Sequence, residues 1–264
     1  MEELKISIVT VSLNQGKYIE EAIQSVLKQN YKNFEHIIID GVSTDNTIEI
    51  LRKYKHLKWI SEKDEGQSDA LNKGFKRCTG DIIGWLNSDD YYLEDTFNVV
   101  KNKLLNPSID AVYGNCIFVN KNHVEIRKII VQKPSKIMSK FICFIPSTTF
   151  FFKRKIIDRN ILIDKNFYIS MDKEFFANLL SKNYKFEKID KFLAKFRWHE
   201  DNKSIDTLKV KKIRYKEGLI IFNRYFKIKL PNNIIGIILY FLMTKINLIY
   251  RLICKITRFD IFSK

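Results

Sequence analysis

The first ninety residues alternate between two hydrophobic periods, and that alternation constrains the fold more than any other feature of this chain. Lys5 to Ser12 (KISIVTVS) is a β-branched run closed by Leu13, Asn14, Gln15 and Gly16, the pattern of a buried strand entering a loop. Ile19, Ala22, Ile23, Val26 and Leu27 then follow the i, i+3, i+4, i+7, i+8 spacing of one helix face. His36 to Asp40 predicts a second strand, followed by a Gly-Val-Ser-Thr turn and a helix carrying Ile48, Leu51 and Tyr54. Leu57 to Ser61 and Asp81 to Leu86 predict two more strands around a helix from Ser68 to Arg77. Strands alternating with such helices make right-handed βαβ units and an α/β fold built on a parallel sheet.

Further along, Phe97, Val100 and Leu104 mark a helix. Strands are expected over 110–119 and 124–131, joined at Lys121-Asn122, then over 148–152 and 192–198, with a helix over 172–181 that buries Phe175, Phe176, Leu179 and Leu180. From Asp206 onward the chain reads as basic, apolar helix. With 264 residues, 45% of them hydrophobic, one sizeable core and a small appendage can form. The expected division is one domain over 1–204 and a tail over 205–264.

Charge is unevenly spread. Residues 1–100 hold 12 Lys and Arg against 17 Asp and Glu, whereas the remaining 164 hold 34 against 13. The acidic first half argues against a nucleic-acid groove there, and the basic second half suits phosphates, lipid or a solvated surface. Cys78, Cys116, Cys143 and Cys254 form no C-x-x-C pair, which points to a reduced, cytoplasmic setting. The N-terminus shows no basic segment followed by an apolar one, so secretion is not expected.

In an open parallel sheet, ligands bind at the carboxyl ends of the strands. Here the first strand is followed by Ser12 and Asn14, the second ends in Asp40, the third runs into Glu62, Asp64 and Glu65, and the fourth delivers Asn87, Ser88, Asp89 and Asp90. Singly, each acid could be a turn or helix-cap carboxylate. Together they repel and raise one another's pKa unless a cation neutralises them. Neither a G-x-G-x-x-G after the first strand nor a Walker-type glycine loop is present, so a phosphorylated ligand needs another counter-charge. Adjacent hard carboxylates suit Mg²⁺ or Mn²⁺ with open positions for phosphate oxygens.

The segments IVTVSLN (8–14), IIDGVSTD (38–45), SEKDEGQSDALNKG (61–74) and GWLNSDD (84–90), continued by MDKEF (171–175) and RWH (197–199), resemble family 2 glycosyltransferases in order and spacing. The resemblance covers about residues 4–204. It implies a GT-A type fold, with a Rossmann-like, mostly parallel sheet flanked by helices, in which 1–100 bind a nucleotide sugar and 101–204 the acceptor. It further implies an inverting, metal-dependent transfer in cell-surface polysaccharide or lipid-linked glycan assembly.

By the same resemblance Thr10, Ser12, Asn14, Asp40, Asp64, Asn72 and Asp89 line the nucleotide-sugar pocket. Asp90 binds the metal, Asp89 reaches ribose or metal, and His199 completes the metal shell or touches diphosphate. Asp172 is the catalytic base. A carboxylate there suits an inverting transfer, which must take the acceptor's proton as its oxygen attacks; Glu174 is the competing acid, and helix capping the competing role for Asp172. Two departures stand out: Asp40 is followed by Gly41 where many members have a second acid, and Asn87 stands where many have Asp. Trp85, Tyr91, Tyr92, Pro146, Ser147 and Thr148 are weaker candidates for substrate contact.

Ile234 to Thr244 carry no charge but are too few for the ~20 residues of a bilayer span. Ile235, Ile238, Leu239, Leu242, Ile246, Ile249 and Ile253 form one stripe, and 205–264 hold 13 basic against 3 acidic residues. That pattern fits either a helix lying on an anionic membrane or one packed on protein. A peripheral position at the inner face of the plasma membrane accords with it. Two rival functions remain. A nucleotidyltransferase should carry a basic loop after the first strand, and 10–16 has none; a nucleic-acid binder should show a basic, aromatic face in place of acidic strand ends.

Overall fold

A computed structural model describes residues 4–257 apart from 142, 144, 204, 206 and 228, and gives no account of the side chains of 138, 247 and 250–257. The elements run β1 (Ile6–Ser12), α1 (Ile19–Leu27), β2 (Phe34–Asp40), α2 (Thr47–Arg52), β3 (Leu57–Ser61), α3 (Gln67–Arg77), β4 (Ile82–Trp85), β5 (Tyr91–Tyr92), α4 (Thr96–Leu104), β6 (Ala111–Asn120) and β7 (Glu125–Ile129). They continue with β8 (Phe151–Lys153), α5 (Lys155–Asp158), α6 (Met171–Ser181), β9 (Phe186–Trp198), α7 (Leu208–Tyr225) and α8 (Ile234–Thr257).

The chain separates into two compact units: Met1–Val131 with Ile145–Lys165 and Lys185–His199, and Gln132–Phe144 with Asn166–Tyr184 and Glu200–Lys264. The division expected at 204/205 therefore does not coincide with them, because the helices after 205 share a unit with α6.

The first unit holds the sheet, in the order β3-β2-β1-β4-β8-β6-β9-β5 with β7 beside β6. β1 to β4 are parallel, as the βαβ pattern requires, and so are β6 and β9. β8 runs antiparallel to both β4 and β6, and β5 antiparallel to β9. Every residue of β1 is buried, which is why it reads as an unbroken apolar run rather than an alternation. On α1 the face expected from the spacing is buried except for Leu27, which is exposed. Gly74 of α3 lets that helix close on β1: a Cβ there would lie 2.3 Å from Val9 Cγ1. The expected strand over 148–152 starts later than its β-branched residues suggest. Ser147–Thr149 form a 3₁₀ turn, in which Thr149 donates from both its backbone N–H and its hydroxyl to the Pro146 carbonyl.

At the amino end of the sheet, Glu35 is buried and accepts hydrogen bonds from Ser7 Oγ at 2.6 Å, Lys58 Nζ at 2.7 Å and Thr79 N at 2.7 Å. Burial alone would raise its pKa, but these donors outweigh it and hold the carboxyl down from 4.5 to about 2. The folded state thus gains from the ionised form above the unfolded pKa and loses that gain as pH falls from about 4.5 toward 2. Glu35→Gln should cost about 1–3 kcal/mol at neutral pH, the range for stranding buried partners, and should flatten the acid limb of stability. Urea melts at pH 7 and pH 3 check both; equal losses at the two pH values would refute the assignment.

In the second unit, α7 and α8 pack through Leu219, Phe222 and Tyr240, with Phe141 stacked 6.3 Å from Tyr240. Gly218 makes room for the Tyr240 ring, since a Cβ there would lie 2.5 Å from Cε1. One side of α8 is therefore core. The stripe expected from the sequence is a different side, and Ile235, Ile238, Leu239, Leu242, Ile246 and Ile249 are all exposed; Ile253 lies outside the described side chains. No described helix is long and apolar enough to cross a membrane.

Candidate active site

The carboxyl ends of β1 and β2 are locked to each other by short polar side chains. Asn14, with φ of 53°, accepts Thr44 N–H at Oδ1 (2.8 Å), and its own N–H donates to Ser43 Oγ at 2.7 Å. Asp40 is fully buried and accepts Ser43 N–H at 2.9 Å, Ser43 Oγ at 2.5 Å and Ser61 Oγ at 2.7 Å. Its neighbour Gly41 has a steric reason: a Cβ there would meet Asp64 Oδ2 at 2.8 Å. Where relatives in the resemblance carry a second acid, this chain brings the Asp64 carboxylate in from the loop after β3. Ser12 Oγ is buried at the end of β1 and has no hydrogen-bond partner among the described residues.

Two residues expected in the pocket have other duties. Thr10 is fully buried, and its hydroxyl pairs with His36 Nε2 at 2.9 Å; burial holds that imidazole neutral, with its pKa lowered to about 3. Asn72 is also buried, its amide clamping the backbone of Ile163 by donating to the carbonyl at 2.8 Å and accepting the N–H at 3.0 Å. Period-2 and period-3.6 reasoning places a residue on a face without showing these partners.

After β4 the acidic turn is held by β9. Arg197, almost wholly buried, donates through Nε to the Asp89 carbonyl at 2.9 Å and through its backbone N–H to Asp90 Oδ1 at 2.9 Å, and its guanidinium pairs with Glu21. Asp90 Oδ2 accepts Thr148 Oγ1 at 2.6 Å and Asn87 Nδ2 at 2.9 Å. Asp90, expected to ligate metal, is 1% exposed, and both its oxygens accept hydrogen bonds from protein donors. Burial, with the Asp89 charge beside it, pushes its pKa up, against the pull of those donors. Asp89 is the accessible member, its side chain 18% exposed and its Oδ2 3.1 Å from His199 Nε2. The His199 ring lies 4.7 Å from that of Tyr18. Thus β4 and β9, more than a hundred residues apart in sequence, bring together one carboxylate and one imidazole. Among the described residues no group of three metal-ligating side chains gathers. Trp85 and Tyr92 belong to the core.

Sequence reasoning missed Arg197 and Thr148 as the restraints on this turn. Arg197 had a signal, since an arginine in a strand otherwise rich in aromatics needs a buried partner.

In the second unit Asp172 stands in the first turn of α6. Its Oδ1 accepts the Lys173 N–H at 2.7 Å and its Oδ2 accepts Cys143 Sγ at 3.3 Å. Burial raises its pKa above the ordinary carboxylate value, with those two hydrogen bonds opposing. The competitor Glu174 is 1% exposed and bound by Arg224 Nη1 at 2.7 Å and by the Tyr225 hydroxyl, so it is committed to packing α6 on α7. Ser170, the residue before α6, makes no side-chain cap. Glu217 of α7 caps the helix entry instead, accepting the N–H groups of Tyr168 (2.6 Å), Ile169 (3.1 Å) and Ser170 (2.7 Å). A carboxylate at a helix N-terminus is favourable, and this one orients the turn that carries Asp172. Nothing in the local sequence could reveal it, since 45 residues separate Glu217 from Asp172.

Residues 7–177 match the family described as Glycosyl transferase family 2. The chain belongs to that family. It is similar to the Escherichia coli UDP-Glc:alpha-D-GlcNAc-diphosphoundecaprenol beta-1,3-glucosyltransferase WfgD, at 30% identity over 141 residues, covering 50% of this chain and 54% of WfgD. It spans about half the length of such curated relatives. Two solved structures share its fold. TarS of S. aureus in complex with UDP-GlcNAc superposes with a TM-score of 0.65 at 18% identity, covering 84% of this chain and 67% of the other. The mannosyltransferase PcManGT of Pyrobaculum calidifontis, in complex with GDP-Man and Mn²⁺, does so with 0.66 at 17% identity, covering 92% and 70%. The curled sheet flanked by helices is thus the GT-A arrangement expected of this glycosyltransferase family.

Proposed function

We propose that this glycosyltransferase moves a sugar, with inversion, from a nucleoside-diphosphate sugar to an acceptor hydroxyl in bacterial polysaccharide or lipid-linked glycan assembly. The observation that carries the reading is the Asp89–His199 pair at 3.1 Å, presented by β4 and β9 and restrained by Arg197. Asp89 and His199 would hold the cation through a carboxylate oxygen and an imidazole nitrogen, donors that suit Mn²⁺. When bound, the cation supplies positive charge to the departing diphosphate. The nucleoside lies along the ends of β1 to β3, where Asn14, Ser12, Asp40 and Asp64 gather, Asp40 acting through Ser43 and Ser61.

Asp172 takes the proton as the acceptor oxygen forms its bond to the anomeric carbon and the bond from that carbon to diphosphate breaks. Its raised pKa makes it a better proton acceptor than an exposed aspartate. UDP-sugar and GDP-sugar donors are supported by the ligands of the two fold relatives, and a lipid-linked acceptor by the name of the E. coli relative. A panel of UDP-, GDP- and dTDP-sugars, assayed for release of the nucleoside diphosphate with Mn²⁺ and with EDTA, tests the reading. One donor should turn over with Mn²⁺ alone; equal turnover in EDTA would remove the metal from it.

The exposed stripe of α8, beside the basic α7, supports a peripheral position on an anionic membrane surface. Ile238→Asp with Ile246→Asp should reduce co-sedimentation with phosphatidylglycerol vesicles about tenfold or more and leave binding to neutral vesicles weak. Unchanged sedimentation would assign the stripe to a protein contact.

A further inference from the structure

Helix α1 begins beside the Asp89–His199 pair and presents two side chains to it. Tyr18, at the helix N-cap, has its ring 4.7 Å from that of His199, and Glu21 pairs with the Arg197 guanidinium. Three residues apart at the start of a helix, the two share a face. Arg197 is held on several sides. Its Cζ lies 5.0 Å from the centre of the Tyr18 ring and 5.3 Å from that of Tyr91, its Nε donates to the Asp89 carbonyl at 2.9 Å, and its side chain is 2% exposed. Glu21 is more open, at 36% side-chain exposure, and its Oε1 also lies 3.4 Å from Nδ1 of His123, in the turn between β6 and β7.

Arginine makes a rigid clamp for the acidic turn, but it also sets a permanent positive charge two residues from His199 and against the backbone of Asp89. Buried between aromatic rings, that charge is poorly screened, and alone it would oppose the entry of a dication. Glu21 supplies the opposite charge. We propose that Glu21 is a positioning residue that acts through Arg197, cancelling the guanidinium charge so that the same arginine can grip the Asp89 carbonyl without repelling the metal. This role rests on the reading of Asp89 and His199 as metal ligands. It gives α1 a part in the site, since Tyr18 packs on both Arg197 and His199 while Glu21 balances the charge behind them.

The test uses the full chain and calorimetric titration of UDP and GDP at a series of Mn²⁺ concentrations, which gives the Mn²⁺ concentration at half-maximal binding. Glu21→Gln keeps an oxygen for the Arg197 N–H and removes the charge. It should raise that concentration by about 10- to 100-fold, the range for groups that support a metal ligand. Glu21→Asp keeps the charge at a shorter reach and should stay within about threefold of wild type. At saturating Mn²⁺, turnover of Glu21→Gln should also lie within about threefold of wild type, a split between metal affinity and rate that general damage would not produce. Thermal melts within a few degrees of wild type establish folding; if Glu21→Gln fails that criterion, Glu21→Ala, which leaves no amide behind, carries the comparison. Unchanged Mn²⁺ dependence in a folded neutral variant, turnover lost at saturating Mn²⁺, or a Glu21→Asp as impaired as Glu21→Gln would overturn the role. The metal reading fails separately, in the wild type: equal binding of UDP and GDP in Mn²⁺ and in EDTA would leave Glu21 no metal to serve and remove both.

Discussion

Asp172→Asn should lower turnover by ~10²- to 10⁴-fold, the usual cost of removing a general base, while donor affinity stays within about twofold of wild type. Asn keeps the shape of the side chain and its oxygen can still accept the Lys173 N–H, so α6 and its Glu217 cap should persist. What is lost is the capacity to take a proton. The pH profile adds a readout that structural damage would not produce. A base works only when deprotonated, so activity should fall on the acid side through the pKa of Asp172, and burial moves that limb above the ordinary aspartate value of 3.8. In Asp172→Asn the residual activity should lack the limb. Single-turnover rates from pH 4 to 8, with a donor titration at pH 7, check both. Full transfer by the variant would pass the role to another residue, but not to Glu174, which Arg224 and Tyr225 hold.

Asp89→Ala should abolish Mn²⁺-dependent binding of the nucleoside diphosphate, weakening it by at least ~100-fold, since even residues that only support a metal ligand are worth 10–100-fold. The chain should still fold, because the Asp89 side chain is partly exposed and Arg197 grips its carbonyl rather than its carboxylate. Asp90→Ala should fail in a different way. Removing that carboxylate strands the Thr148 hydroxyl, the Asn87 amide and the Arg197 N–H together, so the main effect should be a lowered melting temperature, with donor binding lost as a consequence. Calorimetry in Mn²⁺ and in EDTA, paired with thermal melts, separates the two. If Asp90→Ala melted like wild type and lost only metal-dependent binding, the roles of the two acids would be exchanged.

The contrast between these two neighbours shows where reading along the chain stops. The βαβ order of the first half was legible in residues 5–86 because a strand buried on both faces needs an unbroken β-branched run, and a helix over it needs a 3.6-residue stripe. The acids at the carboxyl ends of β2, β3 and β4 were legible for the same reason, since strand ends follow directly from strand positions. Local pattern could not say which of Asp89 and Asp90 faces outward. That depends on donors from β9 and from the turn at Ser147–Thr149, which reach the acidic turn only once the sheet has its order. Nor could local pattern show that Thr10 pairs with His36 and Asn72 with the backbone of Ile163. The tail shows the same division. Its apolar stripe could be read from spacing alone and is the face left exposed, whereas the buried face, built on Tyr240, and the cap that Glu217 gives α6 arise from contacts between segments far apart in sequence. By itself the sequence determined the period of each element, the charge of each half and the family. Tertiary structure alone decided which polar side chains are spent holding backbone and which remain for chemistry, because a hydrogen bond is satisfied by whatever donor the fold brings within 3 Å and not by a neighbour in the chain.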